Sequence, residues 1–113
     1  MPAHIESSGE IEVYCYPSGP ASRVTVPVFN QVTIGDRLSL VFGANEGATA
    51  PFALKVMSPS GATILDSIVR DLPTGLPQSP PPLEFVVSAK GVYKVEIREM
   101  RGRQRGEARV RIS

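Results

Sequence analysis

Side chains that could carry chemistry are few in this chain. It has one histidine, His4, and one cysteine, Cys15, in 113 residues. His4 stands in a polar amino-terminal stretch ahead of the first strand signal, where chain ends are commonly loose, and reads as a solvated residue. Cys15 shares an apolar phase with Ile11 and Val13, so it reads as a packing residue rather than a nucleophile. A single cysteine also excludes an intrachain disulfide and leaves the redox compartment open.

The carboxylates Glu10, Glu12, Asp36, Asp66, Asp71, Glu84, Glu96, Glu99 and Glu107 fall mostly on outward strand phases or in turns, as on a solvated face. No run alternates oxygen ligands like a calcium loop, and Gly43-Ala44-Asn45-Glu46-Gly47 lacks the Lys-Ser/Thr ending of a phosphate loop. Neither Asn30 nor Asn45 falls in the last strand, which argues against a Lys–Asn cross-link. The expectation is a protein that is not an enzyme and has no cofactor or metal.

Recognition chemistry is better represented. Arg101-Gly102-Arg103-Gln104-Arg105-Gly106 occupies the turn between the last two strand signals. Its bland reading is a solvated hairpin tip. Its functional reading is a contact for anions, because guanidinium forks match carboxylates and phosphates. Pro77-Gln78-Ser79-Pro80 matches Pro-x-x-Pro, either as a stiff connector or as a preformed docking arm. Tyr14 and Tyr16, on the outward phase of the first strand, either supply the remaining candidate contact surface or are covered by the Val24 to Asn30 segment. The expected partner-binding residues are therefore Arg101, Arg103, Arg105, Tyr14, Tyr16, Pro77 and Pro80.

These residues are spaced by a period of two. Ile11, Val13 and Cys15 alternate with Glu12, Tyr14 and Tyr16, as in a half-buried strand. Further runs are centred on Val24 to Val28, Leu38 to Phe42, Phe52 to Val56, Thr63 to Val69, Leu83 to Val87, Tyr93 to Ile97 and Ala108 to Ile112. Pro27 assigns the second of these to a sheet edge or bulge. Five prolines between Leu72 and Pro82 exclude a helix or central strand there and indicate an extended crossing. Residues 1–9 are expected to be a flexible leader and 10–113 one all-β domain. Seven to eight short strands with a Pro-rich crossing at 72–82 suggest a Greek-key sandwich.

Two segments resemble the immunoglobulin-like family. Gly35-Asp36-Arg37-Leu38-Ser39-Leu40-Val41-Phe42 is similar to its second strand, with Phe42 in place of the first cysteine. Leu83 to Val95 is similar to its later strand pair, including a Gly-x-Tyr-x corner at Gly91-Val92-Tyr93-Lys94, with Val95 in place of the second cysteine. Both disulfide positions are apolar and there is no tryptophan, so Phe52 or Leu54 would fill the central position. The resemblance implies a disulfide-free sandwich of bacterial or phage type, with the Tyr93 hydroxyl bonded to upstream backbone.

Composition sets the outer limits. At 42% hydrophobic and 20% charged residues, the chain can build one soluble core. The formal charge of +1 excludes a bulk field for nucleic acid or an anionic membrane. The charge is segregated, however: residues 94–113 hold seven basic and three acidic side chains, against five and eight before them. The aromatics do not interleave with the arginines, which makes nucleic acid a poor partner. No run approaches the length of a membrane span, and Met1 to Glu12 lacks the basic start and apolar run of a signal peptide. The expected function is a structural or protein–protein interaction module, its partner another protein or a second copy of the chain. By fold-level analogy it would decorate a larger assembly such as a virion, or serve adhesion at a cell surface. The alternative is a carbohydrate-binding accessory module that presents Tyr14 or Tyr16 to glycan.

Overall fold

The computed structural model describes residues 3–17, 28–29, 32, 34–43, 49–71 and 83–113. Among them the chain is all-β, with no helix. Eight strands of four or more residues are β1 (Ala3–Gly9), β2 (Glu12–Pro17), β4 (Arg37–Gly43), β5 (Phe52–Met57), β6 (Thr63–Val69), β7 (Leu83–Val86), β8 (Gly91–Glu99) and β9 (Arg105–Ile112). A two-residue β3 (Val28–Phe29) completes the set. The strands form two antiparallel sheets, one ordered β3-β1-β9-β8-β5-β6 and the other β2-β4-β7.

The arrangement is β-sandwich-like, because both sheets contribute to one core. Val13, Cys15, Leu38, Leu40, Phe42 and Phe85 come from the smaller sheet, and Phe52, Leu54, Val56, Tyr93, Val95, Ile97, Val110 and Ile112 from the larger. These are the alternate residues of each strand, which a pleated strand must place on one face. Phe42 and Val95 are fully buried, so apolar packing occupies both positions where the resemblance places a cysteine. Strand β4 is buried on both faces, including Ser39 and Val41.

The Tyr93 ring is fully buried, tilted against Phe85 of the opposite sheet with centroids 5.4 Å apart. Its hydroxyl donates to the Ala89 carbonyl at 2.9 Å and accepts the Ser88 and Ala89 N–H groups at 2.9 and 3.0 Å. One phenol thus pins the chain where it passes from β7 in one sheet to β8 in the other.

The amino terminus differs from expectation. Residues 3–9 are a strand, not a flexible leader: β1 pairs with β9 over seven positions, from Ala3↔Ile112 to Gly9↔Gly106. Ile5 is its one large apolar anchor, buried in the core, while His4, Glu6 and Ser8 face outward. With a single anchor, the ladder to β9 rather than a hydrophobic run defines the strand. Of the expected Val24 to Val28 run, Val28 is described and belongs to β3, at a sheet edge. The remainder, and the Pro-rich crossing at 72–82, lie outside the described residues.

Candidate functional site

The β8–β9 hairpin carries the main concentration of recognition chemistry. Residues 93, 95 and 97 of β8 face the core, so Arg98 points outward. In β9, Gly106 and Ala108 are buried and Arg105 points outward. Arg105 was expected in the turn, but it is the first residue of β9 and lies directly opposite Arg98 in the antiparallel register. Arg101 and Arg103 are exposed in the intervening turn. Four arginines thus lie at one end of the larger sheet. Sequence reasoning missed Arg98, because its pairing with Arg105 depends on the number of residues the turn consumes.

The turn is held from below. Glu99 continues the inward phase of β8 and is buried at 5% exposure, which corrects its assignment to a solvated face. Its Oε2 accepts the Thr49 N–H and hydroxyl, both at 2.8 Å, and its Oε1 accepts the Gln104 N–H at 2.9 Å. The Thr49 N–H, then its hydroxyl, hold this carboxyl below the usual carboxylate range, with Gln104 adding to the effect and burial opposing it. Backbone bonds close the same knot: Glu99 N–H to the Gln104 carbonyl at 2.9 Å and Met100 N–H to the Pro51 carbonyl at 3.0 Å. A side chain at Gly102 would lie 2.5 Å from the Glu99 carboxylate, so the arginine-bearing turn is folded over that carboxylate instead of projecting freely.

The other side of the hairpin is fixed by the β1–β2 bend. The Arg105 carbonyl accepts the Glu10 and Ile11 N–H groups at 2.9 and 3.3 Å, and Glu10 Oε2 accepts the Arg105 N–H at 3.3 Å. A Cβ on Gly106 would lie 2.0 Å from the Ile11 carbonyl oxygen, so the close approach of these segments requires glycine at that position. The Glu10 carboxyl is held below its ordinary value, first by its own backbone N–H and that of Arg105, with the Arg105 charge a smaller contribution.

The electrostatics distinguish this end from the rest of the outward face. One row along the sheet, Lys94 reaches Glu96 at 3.0 Å and Glu107 at 3.6 Å, and Arg109 reaches Glu107 at 4.0 Å. Hydrogen bonding to Glu96 and the charge of Glu107 hold the Lys94 pKa above its ordinary value. Among the described residues, no ion pair joins a carboxylate to Arg98, Arg101 or Arg103. The structure thus brings together Arg101, Arg103 and Arg105, and adds Arg98.

The remaining candidates do not join them. Tyr14 lies on β2 in the other sheet, half-buried, its hydroxyl bonded to the Glu12 carboxylate; that bond raises its pKa. Tyr16 is opposite Ser39 in the β2–β4 ladder, and Pro77 and Pro80 lie outside the described residues. His4, expected as a solvated tail residue, sits on β1 with its imidazole 3.4 Å from Glu6. Cys15 is buried and desolvation pushes its thiol pKa far up, which suits packing and not nucleophilic attack. No helix among the described residues is long and apolar enough to cross a membrane. No family model, curated protein or solved structure matches the chain.

Proposed function

We propose that this chain is a non-catalytic, immunoglobulin-like module that joins a larger assembly by docking its arginine-rich end on an acidic protein surface. The observation that carries the reading is a cluster of arginines on rigid support, of which Arg98, Arg101 and Arg103 have no ion pair among the described residues. Arg98 and Arg105 face each other across β8 and β9 with Arg101 and Arg103 beside them, while Glu99 and the β1–β2 bend hold the backbone between them. Like charges directly opposite on adjacent strands repel, and an anionic partner relieves that repulsion. Because the backbone is already ordered, binding loses little conformational entropy there.

The family part of the proposal is supported by three features. The strand grouping β2-β4-β7 against β9-β8-β5-β6 suits that fold, the Tyr93 hydroxyl bonds back to Ser88 and Ala89, and Phe42 and Val95 pack where the disulfide would stand. A virion or cell surface is the setting that the analogy suggests. The carbohydrate alternative needs an exposed aromatic platform. Among the described residues, the exposed large hydrophobic side chains are aliphatic or methionine, and the Tyr14 hydroxyl is already engaged.

The test begins with the protein that co-purifies with the untagged chain, whose affinity is measured by titration calorimetry. Replacing Arg101, Arg103 and Arg105 together with Ser should weaken that affinity strongly and leave the melting temperature nearly unchanged. Unchanged affinity would overturn the proposal. Saturable binding on a glycan array, lost on Tyr14→Ala, would establish the carbohydrate reading instead.

A further inference from the structure

The arginine pair belongs to a longer row. Arg105 lies opposite Arg98, Arg98 opposite Ala53 on β5, and Ala53 opposite Ile68 on the edge strand β6. All four point away from the core, since their neighbours Gly106, Ile97, Phe52 and Val69 are buried. Ile68 is 63% exposed, the most exposed large apolar side chain among the described residues. Ala53 between it and Arg98 is small, and a depression of about 650 Å³ is lined by Ala53, Arg98 and Arg105 together with Lys55, Asp66, Glu96 and Glu107; Ile68 is not among its lining residues.

We infer that this row is a recognition groove for an extended acidic segment of a partner protein that carries an apolar residue at one end. The inference rests on the reading of the arginine end as a docking surface and specifies what that surface selects. Charge complementarity places carboxylates over Arg98 and Arg105, and Ile68 takes the apolar side chain. Neighbouring strands stand about 4.8 Å apart, so Ile68 is about 10 Å from Arg98 and about 14 Å from Arg105 along the row. An extended chain advances about 3.3 Å per residue and turns every second side chain to the same face. Five residues therefore span the row in four steps of about 3.3 Å, the third within reach of the long Arg98 side chain and the fifth over Arg105, and the favoured pattern is apolar-x-acidic-x-acidic. The adjoining row holds Glu96 and Glu107, bridged by Lys94, and Asp66 beyond Lys55, three carboxylates where the arginine row holds none. The carboxylates of the segment are thereby directed to the arginine row.

The test is an amide-resolved NMR titration of the full chain with two blocked peptides, Leu-Ser-Glu-Ser-Glu and Ser-Ser-Glu-Ser-Glu. Both should shift Arg98 and Arg105, and the leucine peptide should also shift Ala53 and Ile68 and bind roughly five- to tenfold more tightly, as expected for partial burial of one aliphatic side chain. Ile68→Ser, at an exposed site, should remove that difference without weakening the serine peptide, whereas Arg98→Ser should weaken both. Equal affinity of the two peptides for the unaltered chain, or a difference that survives Ile68→Ser, overturns the groove while leaving the arginine end as a docking surface. Absence of binding by either peptide also overturns it, and the calorimetric experiment with the co-purifying protein then decides the broader reading alone. Concentration-dependent broadening at Ile68 and Arg98 without peptide would give the face to a second copy of the chain and overturn the inference.

Discussion

Arg98 and Arg105 occupy directly opposed positions on β8 and β9, two like charges in register at the end of a sheet in whose next row Lys94 bridges Glu96 and Glu107. A pairing that opposes strand association persists because interactions beneath it hold the hairpin. The Glu99 carboxylate and the Glu10–Ile11 bend fix the backbone on either side.

The core is tested by Phe42→Ala. Phe42 is fully buried on β4, and its truncation should destabilise the protein by about 3–5 kcal/mol, the range for a large aromatic lost from a packed interior. Urea denaturation gives the value. A midpoint unchanged from that of the unaltered chain would contradict the shared core.

Tyr93→Phe tests the crossing between the sheets. The ring still fills its place, but the Ser88 and Ala89 backbone groups lose the hydroxyl that bonds them. The expected loss is about 1–3 kcal/mol, with amide exchange at Ser88 and Ala89 accelerating more than in the rest of the chain. Uniform exchange with no loss of stability would show that the phenol does not hold the crossing.

Acid should loosen the arginine-bearing turn first. The Glu99 and Glu10 carboxyls have folded pKa values below the ordinary carboxylate value. Their contribution to stability is therefore complete above that ordinary value and is lost as the pH falls through the lowered folded values. Glu99→Gln cannot ionise, so its stability should fall less steeply than that of the unaltered chain below about pH 4. Parallel pH profiles for the two proteins would show that Glu99 is not linked to folding.

Cys15 should be inert. It is 1% exposed, and desolvation disfavours its thiolate. A disulfide-exchange reagent should label it only after denaturation, and melting should be the same with and without reductant. Rapid labelling of the folded protein would place the thiol at the surface.

Where apolar residues mark alternate positions, the fold is legible in the sequence: β2, β4, β5, β8 and β9 follow directly from Val13, Leu40, Leu54, Val95 and Val110 and their period-two neighbours. Strand β1 escapes that reading because Ile5 is its one large apolar residue and the ladder to β9 is a non-local interaction. In β6, Leu65 turns to the core and Ile64 and Ile68 to solvent, so apolar residues occupy both phases of the strand and their pattern alone does not show which face is buried. The site is legible in part. Arg101, Arg103 and Arg105 are visible as a cluster, whereas Arg98 joins them only through the register. Glu99 carried a usable signal, since it extends the inward phase of Tyr93, Val95 and Ile97, but its partner Thr49 is 50 residues away in sequence.

The central claim, that the arginine end docks on an acidic protein surface, is tested most directly by the salt dependence of partner affinity. It is measured for the unaltered chain and for the chain with Arg98, Arg101, Arg103 and Arg105 all replaced by Ser. The account predicts that affinity of the unaltered chain falls steeply as salt rises, and that the variant binds more weakly with a much flatter dependence, while both proteins melt at similar temperatures. Equal affinities with the same salt dependence would contradict it.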